Sequence, residues 1–381
     1  MDGDQCPCDD DAVVILDEVV VEILSWVPVK ALMRFRCVSK SWNSLILDPT
    51  FVKLHLQRSS RDSPALFTLS NLFLDKLCSL HCCSIDGLLE DPSSTIDVNA
   101  DANDDNGGTG IPANIKYSII GVCNGLICLR DMSRGFEVAR VQFWNPATRL
   151  ISVTSPPIPP FFGCARMGFG YDESSDTYKV VAIVGNRKSR KMELRVHCLG
   201  DNCWKRRIEC GNDILPSDTF HGKGQFLSGT LNWVANLATL ESYVVFSFDL
   251  RNETYRYLLP PVRVRFGLPE VRVLRGCLCF SHNEDGTHLA IWQMKKFGVQ
   301  KSWTLLIKVS YKHFEFCRSY FPHPLCMSAN NDVLLLGNNS KYQLVLCNLK
   351  NNTISNIELP LREVFFISFD YVQSLVLPYR N

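Results

Sequence analysis

The sequence lacks several features that point to common classes of protein. No apolar run approaches the roughly 20 residues that a membrane span requires, and the net charge is only +1 over 381 residues. Because the positive and negative charges nearly cancel, the surface as a whole is not expected to attract nucleic acid or an anionic membrane. The acidic start, MDGDQCPCDDD, has the wrong charge for a signal peptide or a basic transit peptide. We therefore expect no nucleic-acid partner and no membrane partner.

Motifs of common catalytic and nucleotide-binding sites are also missing. There is no nucleophile elbow, no zinc-protease histidine pair and no phosphate-binding glycine loop. Asp172 and Asp176 bracket a turn in GYDESSDTYKVV, where acidic side chains ordinarily bond the backbone. The basic run at 185–195 is interpreted as an exposed hairpin tip, with attraction of RNA or an acidic partner as the alternative. We predict no catalytic residue and no cofactor.

Cysteine, in contrast, is abundant, with 17 residues. The number is odd, and several lie in apolar stretches such as GCLCF at Gly276–Phe280, which favours reduced, buried thiols. This usage predicts a cytoplasmic and/or nuclear protein. Zinc binding is the alternative for two clusters, but their spacings match no common zinc finger, so we predict no metal site. These clusters are Cys6 with Cys8, and Cys78, His81, Cys82 and Cys83.

Residues 13–57 have the pattern of short helices. Four apolar residues repeat on one face at helical spacing, Val20, Ile23, Leu24 and Val27, and Pro28 is predicted to end the run. Ser39 is a candidate N-cap, and Asp48-Pro49 is predicted to start a further helix. A unit this small has more apolar groups than it can bury, which predicts a partner surface. The alternative is a helical cap packed on the domain that follows.

The remainder, 64–381, has the texture of an all-β domain, with short apolar strands between turn residues. The domain contains a sequence repeat, which consists of a strand, a polar turn, a second strand and then Leu-Pro or Pro-Pro. Equivalent points recur at steps of roughly 54, 50, 45 and 54 residues, within the range of propeller blades. These points are Phe143, His197, Ser247, Trp292 and Leu346.

The repeats predict a divergent six-bladed β-propeller, with a β-sandwich as the alternative. A weaker strand pair at 65–80 supplies an early repeat, and YVQSLVLP at Tyr371–Pro378 is predicted to close the ring by joining the first blade. The segment 86–110 contains several acids, no Lys or Arg and few large apolar residues. We interpret it as an acidic disordered insertion.

Four short N-terminal segments resemble the sequence of an F-box: ILSWVPVK ending at Lys30, RFRCV at Arg34–Val38, KSW at Lys40–Trp42 and DPTFVKLHL at Asp48–Leu56. Two residues depart from the usual pattern, Leu16 in place of a proline and Trp26 in place of a charged residue. Sequence motifs later in the chain resemble the F-box-associated domain of plant F-box proteins. They include CNGLICL at Cys123–Leu129, WNPATR at Trp144–Arg149 and SFDLRNETYR at Ser247–Arg256.

This resemblance implies a non-catalytic substrate receptor of an SCF-type ubiquitin ligase. The F-box would dock a Skp-type adaptor, which links to cullin and RING subunits, and the β domain would capture a protein target. A binding module that degrades nothing is the first alternative, and a lectin-like or enzymatic propeller the second. By analogy, eight residues are expected to contact the adaptor or to shape that contact: Leu16, Ile23, Leu24, Pro28, Leu32, Cys37, Val38 and Trp42.

Segments that follow Leu-Pro or Pro-Pro would lie at one rim of a propeller. Aromatic and arginine residues are enriched among interface hot spots, so we predict target binding at this rim. The alternative is that the Pro-Pro-Phe-Phe stretch caps a blade edge. The predicted residues are Phe161, Phe162, Arg263, Arg265, Phe266 and Arg362.

Overall fold

A computed structural model gives the fold of most of the chain. The described residues are 17–59, 65–71, 76–83, 117–133, 139–159, 161–185, 191–204, 206–210, 219–237, 240–264, 266–314, 322–328, 330–338, 343–358 and 365–379. The predicted insertion at 86–110 lies outside them. The chain divides into two compact units, Met1–Ser59 and Ser60–Asn381, called here the helical unit and the β unit. None of the described helices is both long and apolar enough to cross a membrane.

The described residues of the helical unit form four helices, α1 (Asp17–Leu24), α2 (Val29–Phe35), α3 (Lys40–Leu47) and α4 (Pro49–Arg58). The predicted cap at Ser39 and the predicted helix start at Asp48-Pro49 are both confirmed. Ser39 Oγ accepts a hydrogen bond from Trp42 N at 3.1 Å, and Asp48 Oδ1 accepts one from Thr50 N at 2.8 Å. The predicted end of the first helix is wrong, because α1 ends at Leu24 and Pro28 is the N-cap of α2. Proline suits a helix start because it has no N–H for an interior hydrogen bond.

Short alternating segments form the β unit. Its strands are β1 (Ala65–Asn71), β2 (Lys76–Cys83), β3 (Tyr117–Cys123), β4 (Leu126–Asp131), β5 (Arg140–Asn145), β6 (Leu150–Ile151), β7 (Phe162–Asp172), β8 (Thr177–Gly185), β9 (Met192–Cys198), β10 (Arg206–Glu209), β11 (Thr219–Leu227), β12 (Thr230–Leu237), β13 (Ser242–Asp249), β14 (Thr254–Leu258), β15 (Phe266–Leu274), β16 (Cys277–Glu284), β17 (His288–Met294), β18 (Trp303–Ser310), β19 (His323–Met327), β20 (Val333–Asn338), β21 (Gln343–Asn348), β22 (Thr353–Glu358) and β23 (Phe365–Asp370). Two short 3-10 helices flank β18, at Gln300–Ser302 and Tyr311–His313.

The described strands pair as six antiparallel groups, called blades 1 to 6. Blade 1 has the order β2-β1-β23, and blades 2 to 6 are β3–β6, β7–β10, β11–β14, β15–β18 and β19–β22. One parallel bridge, between Gly168 and Gly224, links blades 3 and 4 into a single sheet. The inner strands β3, β7, β11, β15, β19 and β23 contact one another in that order, and β23 returns to contact β3. This ring confirms the propeller and rules out the sandwich.

The ring closes through a strand other than the predicted one. β23, at Phe365–Asp370, pairs antiparallel with β1, so the last strand of the chain completes the first blade. The segment Tyr371–Pro378, which was predicted to do this, is not a strand. It packs instead against blade 2, where the Asn145 Nδ2 amide donates to Ser374 O at 2.9 Å and to Val376 O at 2.7 Å. The prediction that a C-terminal strand closes the ring on the first blade is confirmed, but the residues predicted to form that strand were wrong.

The repeated turns have a repeated chemistry at one end of the blades. This end, called the turn face, holds the turns between first and second strands and between third and fourth strands. Three first turns have positive φ at both central residues, as a type I′ hairpin requires. In three later turns the strand ends in Asn or Asp, whose side-chain oxygen accepts backbone N–H bonds two and three residues on. The first set is Asn124-Gly125, Ser228-Gly229 and Arg275-Gly276, and the second is Asn145, Asp249 and Asn348.

The opposite end, called the loop face, holds the connections between second and third strands and those from each blade to the next. Several of them fall partly outside the described residues, among them 186–190, 211–218 and 359–364. In the described part of the chain, each connection makes its own contacts beyond the Leu-Pro or Pro-Pro that ends a repeat. In the link from blade 2 to blade 3, for example, Trp204 Nε1 donates to Pro156 O at 3.0 Å and Arg195 Nη1 to Pro159 O at 2.8 Å.

Candidate interaction surfaces

The helical unit has a small, closed core. Its apolar members Leu24, Val29, Leu32, Ile46 and Phe51 are all buried. His55 is buried as well, and its Nε2 lies 2.9 Å from the carbonyl oxygen of Val27, which joins α4 to the turn after α1. Burial lowers the pKa of His55, so the neutral ring is favoured, and Nε2–H is the donor to Val27. The core is therefore satisfied without the remaining apolar side chains of α1.

Those remaining side chains form an exposed stripe. Val19, Ile23 and Trp26 follow one another at spacings of four and three residues, which places them on one side of α1 and its last turn. Ile23 keeps 59% of its surface exposed and Trp26 keeps 64%. Val38, in the turn between α2 and α3, is 63% exposed. We call Val19, Ile23 and Trp26 the apolar stripe of the helical unit, and Val38 is a further exposed apolar residue of this unit.

The predicted adaptor residues divide between surface and core. Ile23, Pro28, Cys37 and Val38 are exposed, and Trp42 is half-buried, with its ring 5.7 Å from that of Phe35 in an edge-to-face contact. Leu24 and Leu32 lie in the core, so they shape the surface without being part of it. Leu16 lies outside the described residues.

The predicted list missed two members of the stripe, Val19 and Trp26. Trp26 had been noted only as a departure from the usual pattern. The Arg58 guanidinium lies 5.1 Å from the centre of its ring and forms an ion pair with Glu22 at 2.8 Å. Trp26 Nε1 donates to the same Glu22 at 3.3 Å. These contacts hold the indole in place while it stays exposed, which is the arrangement of a preformed contact residue.

The rim predicted for target binding requires a correction. Phe161 is not exposed: it is buried in the core that blades 2 and 3 share, beside Phe143 and Phe169. The alternative, that the Pro-Pro-Phe-Phe stretch packs on a blade, holds for this residue. Arg263 is exposed, and its Nη2 donates to Glu241 O at 3.4 Å. Arg265 and Arg362 lie outside the described residues, as do the side chains of Phe162 and Phe266, the first residues of β7 and β15.

An exposed apolar cluster does lie on the loop face, between blades 4 and 5. Leu240, Leu259 and Leu268 are all more than half exposed. Two hydrogen bonds link the segments that carry Leu240, Arg263 and Leu268: Arg263 Nη2 donates to Glu241 O, and the Tyr243 hydroxyl donates to Gly267 O at 3.4 Å. We call Leu240, Leu259, Arg263 and Leu268 the loop-face cluster. Isolated leucines in turns have no sequence signature. Of these four residues, the sequence therefore predicted only Arg263 as a binding residue.

Comparisons with known proteins agree with this architecture. The family described as "F-box associated beta propeller domain" matches residues 89–370, and the F-box domain family matches residues 17–54. An F-box/kelch-repeat protein of Arabidopsis thaliana is 29% identical over 300 residues, which is 77% of this chain and 78% of the relative. F-box protein CPR1 of the same plant is 29% identical over 392 residues, 94% of this chain and 88% of the relative.

The two matched regions correspond to the two compact units, helices first and blades second. F-box domains bind Skp1-type adaptors, and F-box proteins are generally non-catalytic. The chain belongs to the F-box proteins with a C-terminal F-box-associated propeller domain, a family of substrate adaptors.

Proposed function

We propose that this chain is the substrate-recognition subunit of an SCF-type ubiquitin ligase. Its helical unit docks a Skp-type adaptor and, through it, the cullin and RING subunits. Its β unit captures a target protein for ubiquitination. The observation that carries the proposal is the apolar stripe, whose side chains are exposed although the core of the helical unit is complete without them.

The stripe has the composition of an interface centre. Interface hot spots are enriched in tryptophan and cluster where apolar side chains exclude water. Burying a leucine-sized side chain contributes about 1.5–3 kcal/mol. The three residues of the stripe leave a substantial driving force unused in the isolated unit, and Val38 adds to it. A helix that presents side chains at four- and three-residue spacing fits an apolar groove in a partner.

The loop-face cluster supports target binding by the β unit. Three leucines and an arginine give the mixture of apolar and guanidinium contacts that protein interfaces use. They lie on the face whose connections are long and individually shaped, which is where specificity residues ordinarily occur in a rigid scaffold. The chain itself contributes no bond-making step in this proposal. It raises the rate of ubiquitin transfer by holding target lysines near a loaded enzyme. We place this activity in the cytoplasm and/or the nucleus.

The decisive experiment measures adaptor binding by the purified full chain. Ile23→Asp places a charge in the stripe without entering the core, and we expect it to weaken binding of a Skp-type adaptor by about 30- to 1,000-fold. The matched control is Leu259→Asp, which makes the same kind of change in the β unit and should leave adaptor affinity unchanged. Wild-type affinity in the Ile23→Asp variant would overturn the assignment.

A second measurement separates degradation from mere binding. Target half-life is compared in cells with wild type, with Ile23→Asp and with Leu259→Asp. A ligase subunit predicts that both variants lengthen the half-life, each through a different lost contact. A half-life that is the same in all three, with adaptor binding intact in wild type, would favour the binding module that degrades nothing.

A further inference from the structure

The axis of the propeller contains a cavity that the proposed function does not use. Its volume is about 80 Å³, and its lining includes residues from all six inner strands, among them Gly121, Phe169, Gln225, Arg272, Leu325 and Ser368. By this measure one water needs at least about 10–15 Å³. The cavity therefore has room for a few waters or for one tetrahedral ion of five heavy atoms.

A lysine reaches across this axis. Lys223 belongs to β11 of blade 4, and its Nζ lies 5.5 Å from the ring centre of Phe369, on β23 of the opposite blade 1. Phe369 lines the cavity. Within the described part of the chain, the Lys223 ammonium has no carboxylate partner and no hydrogen-bond acceptor beyond this ring. Burial, reinforced by the nearby Arg272 guanidinium, lowers the pKa of Lys223 to about 7.

A second cation from blade 5 lies at the same place. Arg272 Nε donates to Glu270 Oε1 at 2.8 Å, and its Nη1 donates to Ser368 O on β23 at 3.2 Å. No acceptor for its Nη2 is found among the described residues. Arg272 lines the cavity, and the Lys223 ammonium lies against the ring of Phe369, which also lines it. Two neighbouring cations repel one another unless an anion separates them.

One acidic residue faces the same space and has to be weighed. Asp370, at the end of β23, also lines the cavity, and burial raises the pKa of its carboxyl against the opposing effect of Arg275 and Arg272. It forms no ion pair with Lys223. The groups that act on its carboxyl are the Arg275 and Arg272 guanidiniums. An ionised carboxyl here would repel an anion in the cavity, so removing it should favour anion binding. Among the described residues the Lys223 ammonium has no paired carboxylate.

We propose that this cavity binds one small tetrahedral oxyanion, phosphate or a group of phosphate size, between Lys223 and Arg272. Hydrogen bonds between charged donors and such oxygens are about twice as strong as neutral ones. The bound ion would join β11 and β15 to the closing strand β23, which no covalent link holds. Occupancy would therefore stabilise ring closure by mass action. This inference stands independently of adaptor docking and of target binding.

The test is equilibrium dialysis of radiolabelled inorganic phosphate with the full chain. Direct binding is measured because sulfate and phosphate at high concentration stabilise any fold by exclusion from its surface. We expect one saturable site per chain with a Kd below ~1 mM. Lys223→Met should weaken binding about 10- to 100-fold, the effect of removing a charged hydrogen-bond donor.

Two further variants keep the test interpretable. Lys312→Met removes the same charge from an exposed position after β18 and should bind phosphate as wild type does. Asp370→Asn removes the acidic neighbour and should bind at least as tightly, which a merely misfolded ring would not do. Competition by glycerol phosphate as well as by sulfate would mean that the phosphate belongs to a larger ligand, and competition by sulfate alone that the ion is free. No saturable site, or equal binding by Lys223→Met and wild type, would overturn the proposal.

Discussion

The two faces of the propeller are built in different ways. On the turn face the same solutions recur from blade to blade: a type I′ pair with positive φ, or an Asn or Asp that accepts the backbone N–H groups ahead of it. On the loop face the described connections share little beyond the Leu-Pro or Pro-Pro that ends a repeat, and apolar residues such as Leu259 and Leu268 are exposed. The backbone of the turn face is determined by hydrogen bonds within each turn. The described loops of the loop face are determined by the residues that each one contacts.

This difference indicates where stability and recognition reside. Each shared turn has little freedom to change, because its hydrogen bonds lie within a few residues of one another. Side chains on the loop face can change without disturbing the blades, which suits a surface that selects partners. If this division is right, substitutions on the turn face cost stability and those on the loop face do not.

The largest expected loss of stability comes from a buried ion pair on the turn face. Lys179 Nζ lies 2.9 Å from Asp172 Oδ2 and 2.8 Å from Leu250 O, joining blade 3 to blade 4. Lys179→Met leaves the Asp172 carboxylate buried without its cation, so the free energy of unfolding should fall by about 3–5 kcal/mol in urea denaturation. Lys350→Met is the matched control, since its pair with Asp332 at 2.9 Å is exposed and should matter by less than about 1 kcal/mol.

The same pair predicts a dependence on pH. Burial alone would raise the pKa of Asp172, but hydrogen bonds from Ser175, Ser174 and Lys179 together hold it well below its unfolded value of 3.8. A depressed pKa in the folded state stabilises the fold above the unfolded value and is lost as pH falls through the folded one. The difference between wild type and Lys179→Met should therefore shrink in acid, below about pH 4. A difference that is constant from pH 7 to pH 3 would contradict the assignment to Asp172.

A glycine pair tests whether contact with the chain end adds to the local turn. Gly125 and Gly229 occupy equivalent positions, with φ of +79° and +74°. A Cβ at Gly125 would lie 2.6 Å from Val372 O, whereas a Cβ at Gly229 would meet nothing within 4 Å. We expect Gly229→Ala to cost about 1 kcal/mol for the left-handed backbone alone, and Gly125→Ala about 2–4 kcal/mol. Equal costs by chemical denaturation would show that the chain end moves aside freely.

A pair of asparagines asks the same question with hydrogen bonds. Asn145 and Asn348 cap equivalent turns, but only Asn145 also donates from Nδ2 to the chain end, at Ser374 O and Val376 O. Asn145→Ala leaves those carbonyls unsatisfied and should cost about 1–3 kcal/mol. Asn348→Ala loses only the turn bonds, about 1 kcal/mol. Thermal unfolding followed by circular dichroism compares the two, and a larger loss in Asn348→Ala would contradict the argument.

The smallest expected effect lies on the loop face. Leu259→Ser and Leu268→Ser remove exposed side chains and should change the free energy of unfolding by no more than about 0.5 kcal/mol. Target capture should weaken in both variants. A clear loss of stability in either would mean that the loop-face cluster is structural, and the contrast between the two faces would fail.

The features predictable from sequence were those with local causes. Ser39 was recognisable as a cap and Asp48-Pro49 as a helix start, and the blades were recognisable because turns such as Asn124-Gly125 and Asn145 repeat a short-range chemistry. The closing strand was misplaced because FFISFD and YVQSLVLP are adjacent and both apolar, and periodicity does not say which one pairs with β1. Phe161 was misassigned because its burial depends on blades 2 and 3 meeting around it. The axial Lys223 and Arg272 gave no signal, because the ring alone brings them together.

The pairing of β23 with β1 joins segments about 300 residues apart, and this has a consequence for synthesis. A nascent chain emerging from the ribosome can form its helices and its middle blades early, but blade 1 stays incomplete until β23 has emerged. We expect the β unit to reach its protease-resistant state only once residues 365–370 are free to pair, since pairing of this range is slow and comes late. A premature stop codon before residue 365 would remove β23, and the propeller could not close although every earlier repeat would be present.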